Sequence, residues 1–170
     1  MSFIICGLAE VPAVIKARRP SHMVTLLDPA SMIATPAGIE AANHLRLGVN
    51  DIAEPMEGMI PPDEQLVHDL LAFGSRWKGD APMLIHCWAG ISRSTASAFV
   101  LACARNPDAD EREMALLMRR AASHAYPNRR IIALADDILG RRGRMADAIA
   151  AMGGNDFVSQ GTPFDFPARH

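Results

Sequence analysis

Short apolar runs and amphipathic stretches alternate along this chain, and their two periods separate strands from helices. SFIICGLAEV, 2–11, opens with a strand-like apolar run, and VPAVIKARRP, 11–20, reads as a short helix stopped by Pro20. HMVTLLD, 22–28, is apolar and β-branched and ends at Asp28-Pro29, which predicts a buried strand. HLRLGV, 44–49, alternates as another strand does. Residues 50–62, NDIAEPMEGMIPP, carry Pro55, Pro61, Pro62 and Gly58 and form a loop.

From Asp63 the period lengthens. Leu66, Val67, Leu70, Leu71 and Trp77 recur at helical spacing, with Asp63 placed to cap the helix. PMLIHC, 82–87, is apolar throughout, as a strand buried on both faces is. SRSTASAFVLACA, 92–104, follows as a helix of small residues. Asp110 and Glu113 stand at capping-box spacing ahead of a stripe of Met114, Leu117, Met118 and Ala121. YPNRRIIALADDILG, 126–140, and RRGRMADAIAAMG, 141–153, are two further helices. The terminal GNDFVSQGTPFDFPARH is rich in Gly and Pro and reads as loosely ordered. There is no internal repeat. Strands early, helices late and a strand–loop–helix between them predict an α/β layer fold with helices on both sides of a central sheet.

A length of 170 residues suits a single domain. The division expected is a domain over 1–155 and a tail over 156–170. A chain of this size buries roughly 70% of its unfolded surface and needs no staple. Hydrophobic residues make up 49% and charged residues 21%, ordinary for a globular protein. The net charge of −2 argues against a nucleic-acid or anionic-membrane partner but leaves room for a small anion site. Cys6, Cys87 and Cys103 are odd in number and irregularly spaced, which suits neither a disulfide framework nor a zinc site. The N-terminus lacks a signal-peptide pattern and no run of about 20 apolar residues occurs. The expectation is a cytoplasmic protein with reduced thiols. Cys103 reads as core and Cys6 as more open; either is a candidate partner for Cys87 under oxidation.

The chemistry concentrates in PMLIHCWAGISRSTASAF, 82–99. A loop between a buried strand and a helix exposes unpaired N–H groups at the helix start. Small residues let that backbone, Trp88, Ala89, Gly90, Ile91 and Ser92, curl into a nest that binds tetrahedral oxyanions. Arg93 can close the nest with paired bonds to two anion oxygens. Cys87 stands at its rim, where amides and guanidinium favour the thiolate, the nucleophilic form. Ser94 can donate a hydrogen bond to the sulfur.

His86, Cys87, Gly90, Arg93 and Ser94 together match the pattern HCxxGxxRS. In this the chain resembles the cysteine-dependent protein tyrosine phosphatase superfamily, nearest its dual-specificity branch. The likeness covers roughly residues 44–140. It implies a single α/β domain with a mostly parallel sheet of about four to five strands flanked by helices. It also implies hydrolysis of phosphate monoesters through a phosphocysteine intermediate, with no metal or organic cofactor: phosphotyrosine, with phosphoserine and phosphothreonine open, on proteins, or alternatively a small non-protein phosphoester. In that family an aspartate on a loop upstream of the cysteine protonates the leaving group. Asp51 lies there, with Glu54 and Glu57 as the other carboxylates of the loop. YPNRR resembles the element that opens a late helix, so Asn128 either supports the phosphate loop or is a plain N-cap. His86 is expected to fix the loop through a hydrogen bond rather than act as a base.

Several features narrow the substrate. None of Trp88, Ala89, Ile91 and Ser92 is cationic, which disfavours polyphosphorylated substrates. Trp88 is large enough to pack under the loop or to line the pocket, and packing is the preferred reading. Arg129 and Arg130 are candidates for the pocket rim. Two other readings of the same residues stay open: a sulfurtransferase, and a non-catalytic module that binds phospho-ligands.

Overall fold

Strand pairing follows the apolar runs. In a computed structural model describing residues 1–170, β1 (Ser2–Gly7), β2 (His22–Leu27), β3 (His44–Gly48) and β4 (Met83–Cys87) lie parallel. A fifth strand, β5 (Phe164–Pro167), runs antiparallel on β1, and the order across the sheet is β3-β2-β4-β1-β5. The helices are α1 (Val11–Arg18), α2 (Glu64–Arg76), α3 (Arg93–Arg105), α4 (Glu111–Ala121), α5 (Arg129–Ile138) and α6 (Arg144–Ala150). The sheet is therefore mostly parallel, five-stranded and flanked by helices, as expected.

The two faces of the sheet are unequal. Successive side chains of a strand point to opposite faces. Phe3 and Ile5 of β1, Val24 and Leu26 of β2, and Met83, Ile85 and Cys87 of β4 enter a large core with α2 to α6. Ile4, Cys6, Met23 and Leu84 join Val11, Val14 and Ile15 of α1 in a small core on the other side. α3 is buried from Arg93 to Cys103. Its Ser94, Ala96, Ser97, Ala98 and Ala102 are short enough for its backbone to lie close against the sheet.

Helix starts carry the caps that the sequence supplies. The Asp63 carboxylate accepts from Leu66 N at 2.8 Å. Asp110 accepts from Arg112 N and Glu113 N, the forward half of a capping box. α6 is capped from a distance: buried Asp136 accepts from Gly143 N and Met145 N. Arg142 and Gly143 take positive φ of 55° and 88°, so α6 starts only at Arg144, later than the amphipathic pattern suggests.

The terminal segment corrects its sequence-based expectation. Residues 164–167 are ordered as β5, with Phe164 and Phe166 inward and Asp165 outward. Phe166 is fully buried, and Asp165 pairs with both terminal nitrogens of Arg18 on α1. Cys6 is also corrected: it is as buried as Cys103, inside the small core, because β1 is covered on both faces. No helix is long and apolar enough to cross a membrane.

Candidate functional site

The carboxyl ends of β1, β2 and β4 converge, the place where open parallel sheets leave a crevice. β4 ends at Cys87, the chain turns through 88–92, and α3 begins at Arg93. The turn is held from outside by its own carbonyls. Trp88 O accepts from Leu8 N, Ala89 O from Gly161 N, Ile91 O from Tyr126 N, and Ser92 O from Ala96 N and Asn128 N, at 2.8–3.2 Å. Thr95 Oγ1 adds bonds to Ile91 O and Ser92 O. With these carbonyls committed outward, the amides of the turn are available to its concave side. Gly90 makes the curl possible. Its φ is +73°, and a Cβ there would stand 2.6 Å from the Cys6 carbonyl carbon and Gly7 nitrogen.

Cys87 Sγ lies in the crevice 3.1 Å from Ser94 Oγ. A thiolate can only accept, so when Cys87 is ionised Ser94 is the donor. Arg93 is 4% exposed. Its Nη1 donates to Val49 O at 2.7 Å and to Asp28 Oδ1 at 3.1 Å. Its Nε is buried with no partner at all. A buried cation with an unpartnered donor is costly unless an acceptor arrives. A tetrahedral oxyanion in the nest can supply that acceptor, since a guanidinium presents adjacent N–H groups in a fork.

Asp51 sits across the same crevice. Its Oδ1 accepts from Ser92 Oγ at 2.7 Å and from Asn128 Nδ2 at 2.8 Å. Asn128 makes contacts in two directions. Its Oδ1 caps α5 through Arg130 N and Ile131 N, while its amide groups reach Asp51 and Ser92 O. Glu54 and Glu57 are exposed and do not line the crevice.

His86 is fully buried beneath the turn. Its Nε2 is 2.7 Å from Thr25 Oγ1 and its Nδ1 is 3.4 Å from Cys87 O. Burial pushes its pKa down to about 4, so the ring is neutral near pH 7.

The crevice encloses about 880 Å³. Trp88 forms part of its wall and is 58% exposed, so of its two expected placements it takes the pocket wall and not the preferred packing under the loop. The space beneath the turn is already filled by the β1 backbone at Cys6 and Gly7. Tyr126 lines the crevice too, with the Arg129 guanidinium 5.8 Å from its ring centre. Arg129 therefore reaches the rim, whereas Arg130 turns away to donate to Pro62 O.

Asp28 is the site residue that the sequence reading missed. It follows β2 directly, lines the crevice and pairs with Arg93. The signal was available, because an aspartate ending a buried parallel strand belongs at the carboxyl edge of the sheet.

No protein-family model matches the chain, and no curated protein matches it. Among solved structures the chain is similar to OH1 from the Orf virus, described as a tyrosine phosphatase that displays distinct structural features and triple substrate specificity. The match has 16% identity and a TM-score of 0.44, and covers 87% of this chain and 78% of that one.

Proposed function

We propose that this protein is a phosphatase that hydrolyses phosphate monoesters through a phosphocysteine intermediate on Cys87. The observation that carries the reading is the buried guanidinium of Arg93, with an unpartnered Nε, in the same crevice as the Cys87 thiol and the 88–92 turn. The HCxxGxxRS pattern supports it independently.

In the first step the Cys87 thiolate attacks phosphorus, the bond from phosphorus to the ester oxygen breaks, and Asp51 delivers a proton to the departing oxygen. The equatorial oxygens are held by the turn amides and Arg93, which act where charge is spread in the transition state. In the second step Asp51 takes a proton from water as that water attacks phosphorus. The S–P bond breaks, inorganic phosphate leaves, and the Ser94 hydroxyl stabilises the returning thiolate. In the resting arrangement Asp51 is held by Ser92 and Asn128. Those contacts keep the acid loop at the turn before substrate arrives.

Trp88, Tyr126, Ile52 and Met59 line the crevice and suit an ester whose organic part is flat and apolar. Phosphotyrosine in a protein fits this description. A small non-protein phosphoester of similar shape is the alternative within the same chemistry.

The test is hydrolysis of p-nitrophenyl phosphate against pH, with Cys87→Ser and Asp51→Asn beside the wild type. The expected result is an active wild type, an inactive Cys87→Ser, and an Asp51→Asn that folds but loses the basic limb of a bell-shaped profile. An acid-quenched wild type should carry phosphate on Cys87. Turnover surviving in Cys87→Ser would overturn the assignment.

A further inference from the structure

Beneath the 88–92 turn a chain of polar side chains runs across the neighbouring strands β3, β2 and β4. Thr35 Oγ1 is 2.9 Å from His44 Nδ1. His44 Nε2 is 2.7 Å from Thr25 Oγ1, and Thr25 Oγ1 is 2.7 Å from His86 Nε2. The chain ends at the Cys87 carbonyl, 3.4 Å from His86 Nδ1. Thr25 and His86 are fully buried, side by side on the paired strands β2 and β4, and His44 is partly buried on β3.

The terminal carbonyl fixes the direction of every link. A carbonyl oxygen only accepts, so a favourable contact requires the proton of His86 on Nδ1. A neutral ring then offers Nε2 as acceptor, and Thr25 must donate to it. The Thr25 oxygen then accepts from His44 Nε2–H, and His44 Nδ1 accepts from Thr35. The reversed chain would set the lone pair of His86 Nδ1 against that of the Cys87 carbonyl. Both rings are held neutral by burial, their pKa values pushed down to about 4; the bond to the Cys87 carbonyl pulls His86 the other way but is outweighed, while His44 and Arg93 for His86, and Arg46 for His44, act in the same sense as burial.

We propose that Thr25 and His44 are positioning residues, which lock His86 in its Nδ1–H form and so aim the Cys87–Trp88 peptide. A trans peptide points its carbonyl and N–H in opposite directions. Holding Cys87 O down toward His86 therefore turns Trp88 N–H up into the nest, beside the attacking sulfur. The catalytic part of this role rests on the phosphatase reading; the tautomer does not.

Two measurements test it. The first is nitrogen NMR of the histidine rings near pH 7, assigned with His86→Gln and His44→Gln. The expected spectrum shows opposite tautomers: His86 protonated on Nδ1 and His44 on Nε2. His86 protonated on Nε2 would overturn the proposal whatever the enzyme does. The second compares Thr25→Val with Thr25→Ser on p-nitrophenyl phosphate. Thr25→Val keeps the shape but removes the donor, and kcat should fall about tenfold with KM nearly unchanged. Thr25→Ser restores the hydroxyl and should restore kcat. A folded Thr25→Val with wild-type kcat, or a Thr25→Ser as impaired as Thr25→Val, would also overturn it. A wild type inactive on every phosphoester would sink the phosphatase reading, while the ring spectrum still decides the tautomer.

Discussion

Arg93 is a buried charge, and what it touches decides what it can bind. One terminal nitrogen is engaged by Val49 O and the Asp28 carboxylate, on the side away from the free Nε. That pairing offsets part of the cost of burying a cation and holds the planar group in one orientation. The Asp28 side chain is itself 44% exposed, so replacing it leaves no hole in the core. Asp28→Ala is expected to lower the melting temperature only modestly, since Arg93 keeps Val49 O, and to lose about tenfold in kcat/KM for p-nitrophenyl phosphate, about 1.4 kcal/mol of transition-state stabilisation. Asp28→Asn keeps an oxygen acceptor and should lose less. If both variants match the wild type, Val49 O alone positions the guanidinium. At this scale much of the site is legible in sequence. Cys87, Gly90, Arg93 and Ser94 are close in the chain, and one loop conformation brings them together. Thr25 is not legible in the same way, because only the pairing of β2 with β4 carries it to the loop, and Asp28 is legible as a residue of the sheet's carboxyl edge but not as the partner of Arg93.

Among the elements, β5 shows where pattern reading stops. FDFP does alternate, but it is short, ends in proline and follows a Gly- and Pro-rich stretch, so composition masks the period. What orders it is remote: β1 supplies an unpaired edge, and Arg18 on α1 supplies a partner for Asp165. The longer helices lack this difficulty, since α2, α4 and α5 carry their apolar stripes and their caps within a few residues of sequence. If β5 is an integral strand, its inward ring should matter as a core residue does. Phe166→Ala is expected to cost about 3–5 kcal/mol in urea unfolding, with no change in slope. Phe157, fully exposed in the same terminal region, is the control; Phe157→Ala should stay within about 0.5 kcal/mol of wild type. Equal small effects in both variants would mean that the segment is a loose tail after all. The strand also bears on the candidate site, because Gly161, just before it, donates to Ala89 O in the 88–92 turn.

Across the whole molecule, burial of titratable groups sets a stability window in pH. His86 and His44 are pushed down to about 4 by burial, and His22, His124 and His170 shift in the same direction. Below the ordinary histidine value of 6.5 the unfolded chain takes up protons that the folded chain refuses. Stability is therefore full above 6.5 and declines as pH falls toward 4. Cys6 and Cys103 are pushed up to about 12, chiefly by burial in the two cores. Above their ordinary value of 9.0 the unfolded chain releases protons that the folded chain keeps, so stability declines again as pH rises toward 12. Each fully titrating group contributes a slope of about 1.4 kcal/mol per pH unit, less for the half-buried His44. Urea unfolding across pH 4 to 10 should thus give a plateau between about 6.5 and 9 with a fall on either side. Cys103→Ala separates the alkaline limb from general instability. It lowers the plateau by creating a small cavity, yet should flatten the decline above pH 9 relative to wild type. An unchanged alkaline slope in that variant would mean that the Cys103 thiol ionises in the folded protein as readily as in the unfolded one.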